Sequence, residues 1–134
     1  MAMSARLFGA WAIGGLMTIR VKRAYAPPLR NDGCRVLVDR LWPRGVGKVE
    51  ARIDEWRREI APSDELRRWY GHEPEKWPEF RRRYFAELAE KEEMVAELVD
   101  KARGEELTLV FGAKDEEHNN AVALKEYLEM RLNS

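Results

Sequence analysis

The chain is poor in the residues that build covalent cross-links and metal centres, with one cysteine and two histidines among 134 residues. A lone Cys34 excludes an internal disulfide and any thiolate-built zinc or iron–sulfur site, and it fits a reducing, cytoplasmic setting. His72 and His118 stand in different segments without ligand spacing, so no metal site is expected. Long hydrophobic runs are also missing. The apolar stretch Leu7 to Met17 has 11 residues, three of them glycine, which is too short to cross a bilayer as a helix. No small-residue cleavage site follows it, so a signal peptide is not expected either. Residues 1–17 are therefore read as an extension, and residues 18–134 as a single domain with no membrane partner. There is no surplus of charge: 24 Lys+Arg balance 24 Asp+Glu, which argues against strong nonspecific attraction to nucleic acid or anionic lipid. Glycine-rich phosphate loops, metalloprotease signatures and internal repeats are absent, so no cofactor is expected.

What is present is an apolar fraction of 45% with five Trp, enough for one real core. Charge is distributed unevenly along the chain. Residues 1–84 carry 18 Lys+Arg against 11 Asp+Glu, and residues 85–134 carry 6 against 13.

The pattern alternates strands with helices. Ile19 to Lys22 alternates apolar and basic side chains, as a strand with one wet face does. Asn31-Asp32-Gly33 is turn chemistry and leads into a second strand from Cys34 to Leu41, whose Val36-Leu37-Val38 centre implies burial on both faces. Val49, Ile53, Trp56 and Ile60 recur at helical spacing and predict a helix over about Glu50 to Ile60. Ser63 as N-cap and Gly71 as terminator bracket a short helix. A stripe from Trp77 through Leu88 and Val95 to Ala102 predicts one long helix ending at Gly104. Leu107 to Phe111 reads as a central buried strand, and a last helix starts near His118 or Asn119 with Ala121, Leu124 and Leu128 inward. The expected fold is a three-layer α/β domain with a short, mainly parallel sheet flanked by helices.

Ligands in such folds bind beyond the carboxyl ends of the strands. That selects the loops Asp39-Arg40-Leu41-Trp42-Pro43-Arg44-Gly45 and Ala113-Lys114-Asp115-Glu116-Glu117-His118-Asn119-Asn120. Arg40 and Arg44 are suited to grip an anion in a planar fork, with Lys114 as a point charge. His118 is suited to acid–base work near neutral pH, with Asp39 or Asp115 to orient it. Trp42 offers a stacking surface and Asn119 an amide. Structural readings stand beside these. Asp39 pairs with Arg40 or shapes the turn, Asp115 caps the last helix, His72 is a turn residue, and Trp56, Trp69 and Trp77 fall at core spacing. Arg81-Arg82-Arg83 lies between core positions on the long helix and reads as a solvated face.

The strings IRVKRAY, DGCRVLVDRLWPRGV, DEWRREIAPSDELRRWYGHEPEKWPEFRRRY and LTLVFGAKDEEHNNAVALKEYL resemble the YeaO-like family (domain of unknown function 488) of bacteria and archaea. The resemblance runs from Thr18 to about Leu128. It implies that Asp39, Arg40, Trp42, Pro43, Arg44, Lys114, Asp115, His118 and Asn119 are family motif residues, and it implies no substrate.

The leading functional expectation is a pocket for a small phosphate- or carboxylate-bearing ligand, with or without catalysis by His118. The alternatives are a nucleic-acid-binding module using Arg81 to Arg83 and Trp42, and a protein-interaction module built on the same loops.

Overall fold

The computed structural model describes residues 19–134, and the reading of residues 1–17 as an extension lies outside them. Four strands, β1 (Arg20–Arg23), β2 (Cys34–Leu37), β3 (Glu55–Trp56) and β4 (Leu107–Phe111), form one sheet in the order β1-β4-β2-β3. Every pairing is parallel. The last strand in sequence thus lies between the first two, with Leu109 opposite Val21 on one side and Val36 on the other. All five β4 residues are buried, as in a strand of a parallel sheet covered on both faces, and the one polar side chain among them, Thr108, donates its hydroxyl to the Asp32 carbonyl at 2.7 Å.

Five helices accompany the sheet: α1 (Lys48–Ala51), α2 (Asp64–Tyr70), α3 (Trp77–Ala89), α4 (Glu92–Gly104) and α5 (Asn120–Leu132). The two-residue strand period divides the core. Val36, Val38, Leu107, Leu109 and Phe111 join the side chains of α2 to α5, including Tyr84, Leu88, Leu98, Leu124 and Leu128. Leu37, Val110 and Ala24 face the other way, under Trp42, Val46 and Ile53. The result is a three-layer α/β fold with one thick helical layer and one thin layer of loops and α1.

The ends of α2 follow the sequence pattern. Ser63 Oγ accepts the Leu66 amide at 3.1 Å, and Gly71 closes the helix at φ +54°. Asn31-Asp32-Gly33 turns as its composition implies. The Asp32 carboxylate accepts the Leu29 amide at 2.9 Å, and Gly33 takes φ +67° with no room for a Cβ, which would lie 2.3 Å from the Glu106 carbonyl oxygen. The second strand is shorter than expected: it ends at Leu37, and the chain leaves the sheet after Val38 donates to the Val110 carbonyl at 3.0 Å.

Two helices differ from their sequence patterns. The helix expected over Glu50 to Ile60 is only the single turn of α1, ended by Arg52 in the left-handed region at φ +50°. The following residues pair with β2: Asp54 N donates to the Arg35 carbonyl and Arg57 N to the Leu37 carbonyl, at 2.8 and 2.9 Å. An open strand edge has captured a segment whose periodicity is helical, and Val49 is left 82% exposed. Trp56, at core spacing in the sequence, lies on β3 and is also exposed.

The long helix expected up to Gly104 is two helices, broken between Ala89 and Glu92. Glu90 N and Lys91 N turn back to the Glu87 and Leu88 carbonyls, and Lys91 Nζ reaches the carbonyls of Glu59 and Ala61 at 2.7 and 3.0 Å. The break lets Leu88 and Val95 both enter the core fully buried.

Candidate functional site

Tyr25, Asp39, Gly112 and their neighbours follow the carboxyl ends of β1, β2 and β4, and together with α2 they surround a cavity of about 300 Å³. This lies at the low end of the roughly 300–1,000 Å³ typical of small-molecule sites.

Asp39 forms part of its floor. Its carboxylate accepts the Gly112 amide at 2.8 Å and Asn120 Nδ2 at 3.1 Å, and Asn120 Nδ2 also donates to the Val38 carbonyl at 3.0 Å. Burial pushes the Asp39 carboxyl above its ordinary range, against the opposing pull of those two hydrogen bonds. Asp39 forms no ion pair with Arg40. Gly112 is small for a reason visible here: a Cβ would lie 3.2 Å from Asp39 Oδ2 and 3.3 Å from Pro43 Cβ.

Arg40 is under-partnered. Its Nη2 makes two long contacts, 3.3 Å to the Ala61 carbonyl and 3.4 Å to that of Pro62, while its buried Nε has no hydrogen-bond partner among the described residues. Native buried donors are nearly always paired, so an orphan of this kind calls for an explanation. Arg44 is exposed with its side chain in no ion pair among the described residues, and its carbonyl accepts the Tyr25 hydroxyl at 2.7 Å. Trp42 is fixed by Nε1 donating to the Val46 carbonyl at 2.7 Å and by an edge contact with Trp56.

His118 is held on three sides. Its Nδ1 lies 3.0 Å from Asp115 Oδ2, its amide donates to Asp115 Oδ1 at 3.1 Å, and its ring meets Trp77 edge-on at 5.5 Å. Its carbonyl accepts the Tyr70 hydroxyl at 2.8 Å. Nε2 carries no hydrogen bond among the described residues. The amides of Glu117 and His118, together with the imidazole, hold the Asp115 carboxyl below its ordinary range. Burial and the Asp115 charge push the Tyr70 phenol up to about 12.

Asp39, Arg40, Trp42, Arg44, His118 and Asn119 line the cavity, whereas Lys114 and Asp115 do not. Lys114 is exposed outside it, and Asp115 acts on the cavity through the His118 ring, through Asn119, whose Nδ2 its carbonyl accepts, and through its charge near Tyr70. Asp115 is not the cap of the last helix. That role belongs to Asn119, whose Oδ1 accepts the Val122 amide at 3.0 Å while Nδ2 donates to the Asp115 carbonyl at 2.8 Å. His72 sits in a tight turn at φ +59° and still borders the cavity. Sequence reasoning missed Tyr25, Arg67, Tyr70 and Phe80. Arg67 and Tyr70 come from α2, which no strand-end argument selects. Among the described residues no group of three or more His, Cys, Asp or Glu could hold a metal ion, and no helix is long and apolar enough to cross a membrane.

Comparison with known proteins places these motifs in a lineage. The chain is 45% identical over 112 residues to the uncharacterized protein YeaO of Escherichia coli (strain K12), covering 84% of this chain and 97% of that protein. It is 50% identical over 70 residues to Rv3073c of Mycobacterium tuberculosis (strain ATCC 25618 / H37Rv) and to Mb3100c of Mycobacterium bovis, covering 52% of this chain and 59% of each. No solved structure matches it. A family model described as the inactive DUF488-N3 subclade matches residues 18–134, nearly the whole chain. With that match and the relationship to YeaO, the chain belongs to the YeaO-like DUF488 family, in the subclade described as inactive.

Proposed function

We propose that this domain is a binding protein for a small phosphate- or carboxylate-bearing ligand, held in the cavity at the strand ends. One observation carries the reading. Among the described residues, three guanidiniums, Arg40, Arg44 and Arg67, border a cavity whose single lining carboxylate, Asp39, already has both oxygens engaged by Gly112 and Asn120. Such a site has surplus donors and positive charge, and an oxoanion satisfies both, including the under-partnered Arg40. The subclade's description as inactive supports binding over turnover. A second reading, catalysis, draws on the His118–Asp115 pair, which fixes one ring nitrogen and leaves Nε2 for proton transfer.

The nucleic-acid reading has less support. Arg81 is paired with Glu126, Arg82 and Arg83 share Glu79, and the Trp42 indole N–H is already bonded to Val46.

Thermal unfolding in the presence of phosphate, sugar phosphates, mono- and dicarboxylates and short oligonucleotides tests these alternatives. A ligand that binds only the native state raises the melting temperature, by about 2.7 kcal/mol of added stability at 100 times its Kd. A small anion is expected to produce that shift, and Arg44→Ala is expected to weaken it at least tenfold, the loss of a charged hydrogen bond of ~1.5–3 kcal/mol. Absence of a shift from every small anion would sink the proposal. A shift from oligonucleotides alone that fades with salt would favour nucleic acid. Following the bound ligand by NMR decides between binding and turnover, and any turnover must vanish in His118→Ala.

A further inference from the structure

The rim of the cavity carries an exposed aromatic ring that core packing does not account for. Tyr25 is 47% exposed, a poor place for a tyrosine whose role is packing. It is nevertheless held from two directions. Its hydroxyl donates to the Arg44 carbonyl at 2.7 Å, and the Arg23 guanidinium lies over one face of the ring, 4.7 Å from its centroid. Arg23 is itself fixed, with Nε donating to the Ala113 carbonyl at 2.8 Å and Nη2 to the Gly112 carbonyl at 3.4 Å. The other face of the Tyr25 ring has no ring or cation against it among the described residues.

An exposed ring immobilised at a cavity mouth is what stacking recognition needs, because its ordering has been completed before the ligand arrives. Pro43, Pro62, Trp42 and Phe80 add apolar wall to the same cavity that Arg40 lines. A bare inorganic anion would leave that wall uncovered.

We infer that Tyr25 is a stacking platform and that the ligand is one planar ring system joined to a single oxoanion, the chemistry shared by nucleoside monophosphates and aromatic carboxylates. This rests on the anion-pocket reading and narrows it. The ring lies against the free face of Tyr25 while the oxoanion reaches the guanidinium side of the cavity. A cavity of about 300 Å³ admits one such unit and is too small for a dinucleotide.

Isothermal titration of the full chain with five probes tests the inference: adenosine monophosphate, indole-3-acetate, glycerol 3-phosphate, acetate and adenosine. Each is repeated on Tyr25→Ala and Tyr25→Phe, with circular dichroism melting to confirm that both variants fold. Adenosine monophosphate or indole-3-acetate should bind roughly ten times more tightly than its ringless counterpart, a typical stacking increment. Tyr25→Ala should erase that advantage, and Tyr25→Phe, which keeps the ring, should preserve most of it. The tighter of the two ring-bearing probes identifies the source of the oxoanion.

Ringless anions binding as tightly as ring-bearing ones, with no response to Tyr25→Ala, would overturn the inference and leave the anion pocket standing. Adenosine binding as well as its monophosphate would overturn the required oxoanion. No binding by any of the five probes would overturn both this inference and the proposal beneath it.

Discussion

The Asp39 carboxylate accepts the Gly112 amide across 2.8 Å, joining the ends of β2 and β4 under the cavity. Its second oxygen takes Asn120 Nδ2, so the same side chain also anchors the first turn of α5. The loops carrying Arg40, Trp42 and Arg44 on one side and His118 on the other start and end at these anchors. Asp39 is thus a positioning residue, whose two oxygens hold these loops in place.

Substituting Gly112 tests how rigid that junction is. The added methyl of Gly112→Ala would lie 3.2 Å from Asp39 Oδ2 and 3.3 Å from Pro43 Cβ. Asp39 is held at both oxygens and Pro43 is buried, so neither yields easily. Overpacking of this kind costs about 1–3 kcal/mol. Denaturant unfolding should show the loss as a lower midpoint with an unchanged slope. A variant as stable as the parent would mean that the Asp39 to Pro43 loop moves freely.

Asp39 also makes stability depend on pH with an unusual sign. Burial raises its carboxyl above the ordinary range, so the folded state holds the proton more tightly than the unfolded chain does. The stabilisation from the protonated form is full below the unfolded value, about 4, and is lost as pH rises through the raised folded value. Asp39→Asn removes this titration, and the hydrogen bond it loses to Gly112 or Asn120 is a cost that does not itself titrate. Subtracting the variant's stability from the parent's, measured by urea unfolding between pH 3 and about pH 8, should give a difference that falls as pH rises. A flat difference would show that the hydrogen bonds from Gly112 and Asn120 fully offset the burial.

What could be read in advance follows from which forces are local. The β4 run from Leu107 to Phe111 and the caps Ser63 and Gly71 are visible because side-chain period and cap chemistry lie within a few residues of each other. β3 is not visible. Glu55 and Trp56 are strand only because the β2 edge is open beside them, and their own spacing is helical. The break at Glu90 and Lys91 has no proline or glycine to announce it, and Lys91 is held by carbonyls about thirty residues away. At the site, strand ends point to Asp39, Arg40, Arg44 and His118 because loop position there is topological. Tyr70 and Arg67 border the same cavity only because α2 docks there, through a hydroxyl bonded to the His118 carbonyl. No local pattern encodes that contact.

The buried pair Asp32–Arg35 gives the sharpest stability prediction. Arg35 Nη1 lies 2.7 Å from Asp32 Oδ2, and both side chains are 3% exposed. Lys22 Nζ adds a second cation 3.0 Å from the same carboxylate. Burial pushes the Asp32 carboxyl up, but the Leu29 amide, Lys22 and Arg35 overcome it and hold the carboxyl below its ordinary range. The two partners are therefore not equivalent. Asp32→Ala strands a buried guanidinium, whose Nη2 already lacks a partner, and should cost roughly 3–5 kcal/mol. Arg35→Met leaves Asp32 with Lys22 and the Leu29 amide, and should cost distinctly less. The pH dependence runs opposite to that of Asp39: stabilisation by Asp32 is present above the unfolded carboxylate value and is lost as pH falls through the lowered folded one. Urea unfolding of Asp32→Asn should accordingly show a flatter acid limb than the parent. Equal costs for Asp32→Ala and Arg35→Met would show instead that the stranded charge reaches water, and that the thin layer over this face of the sheet opens more readily than its burial suggests.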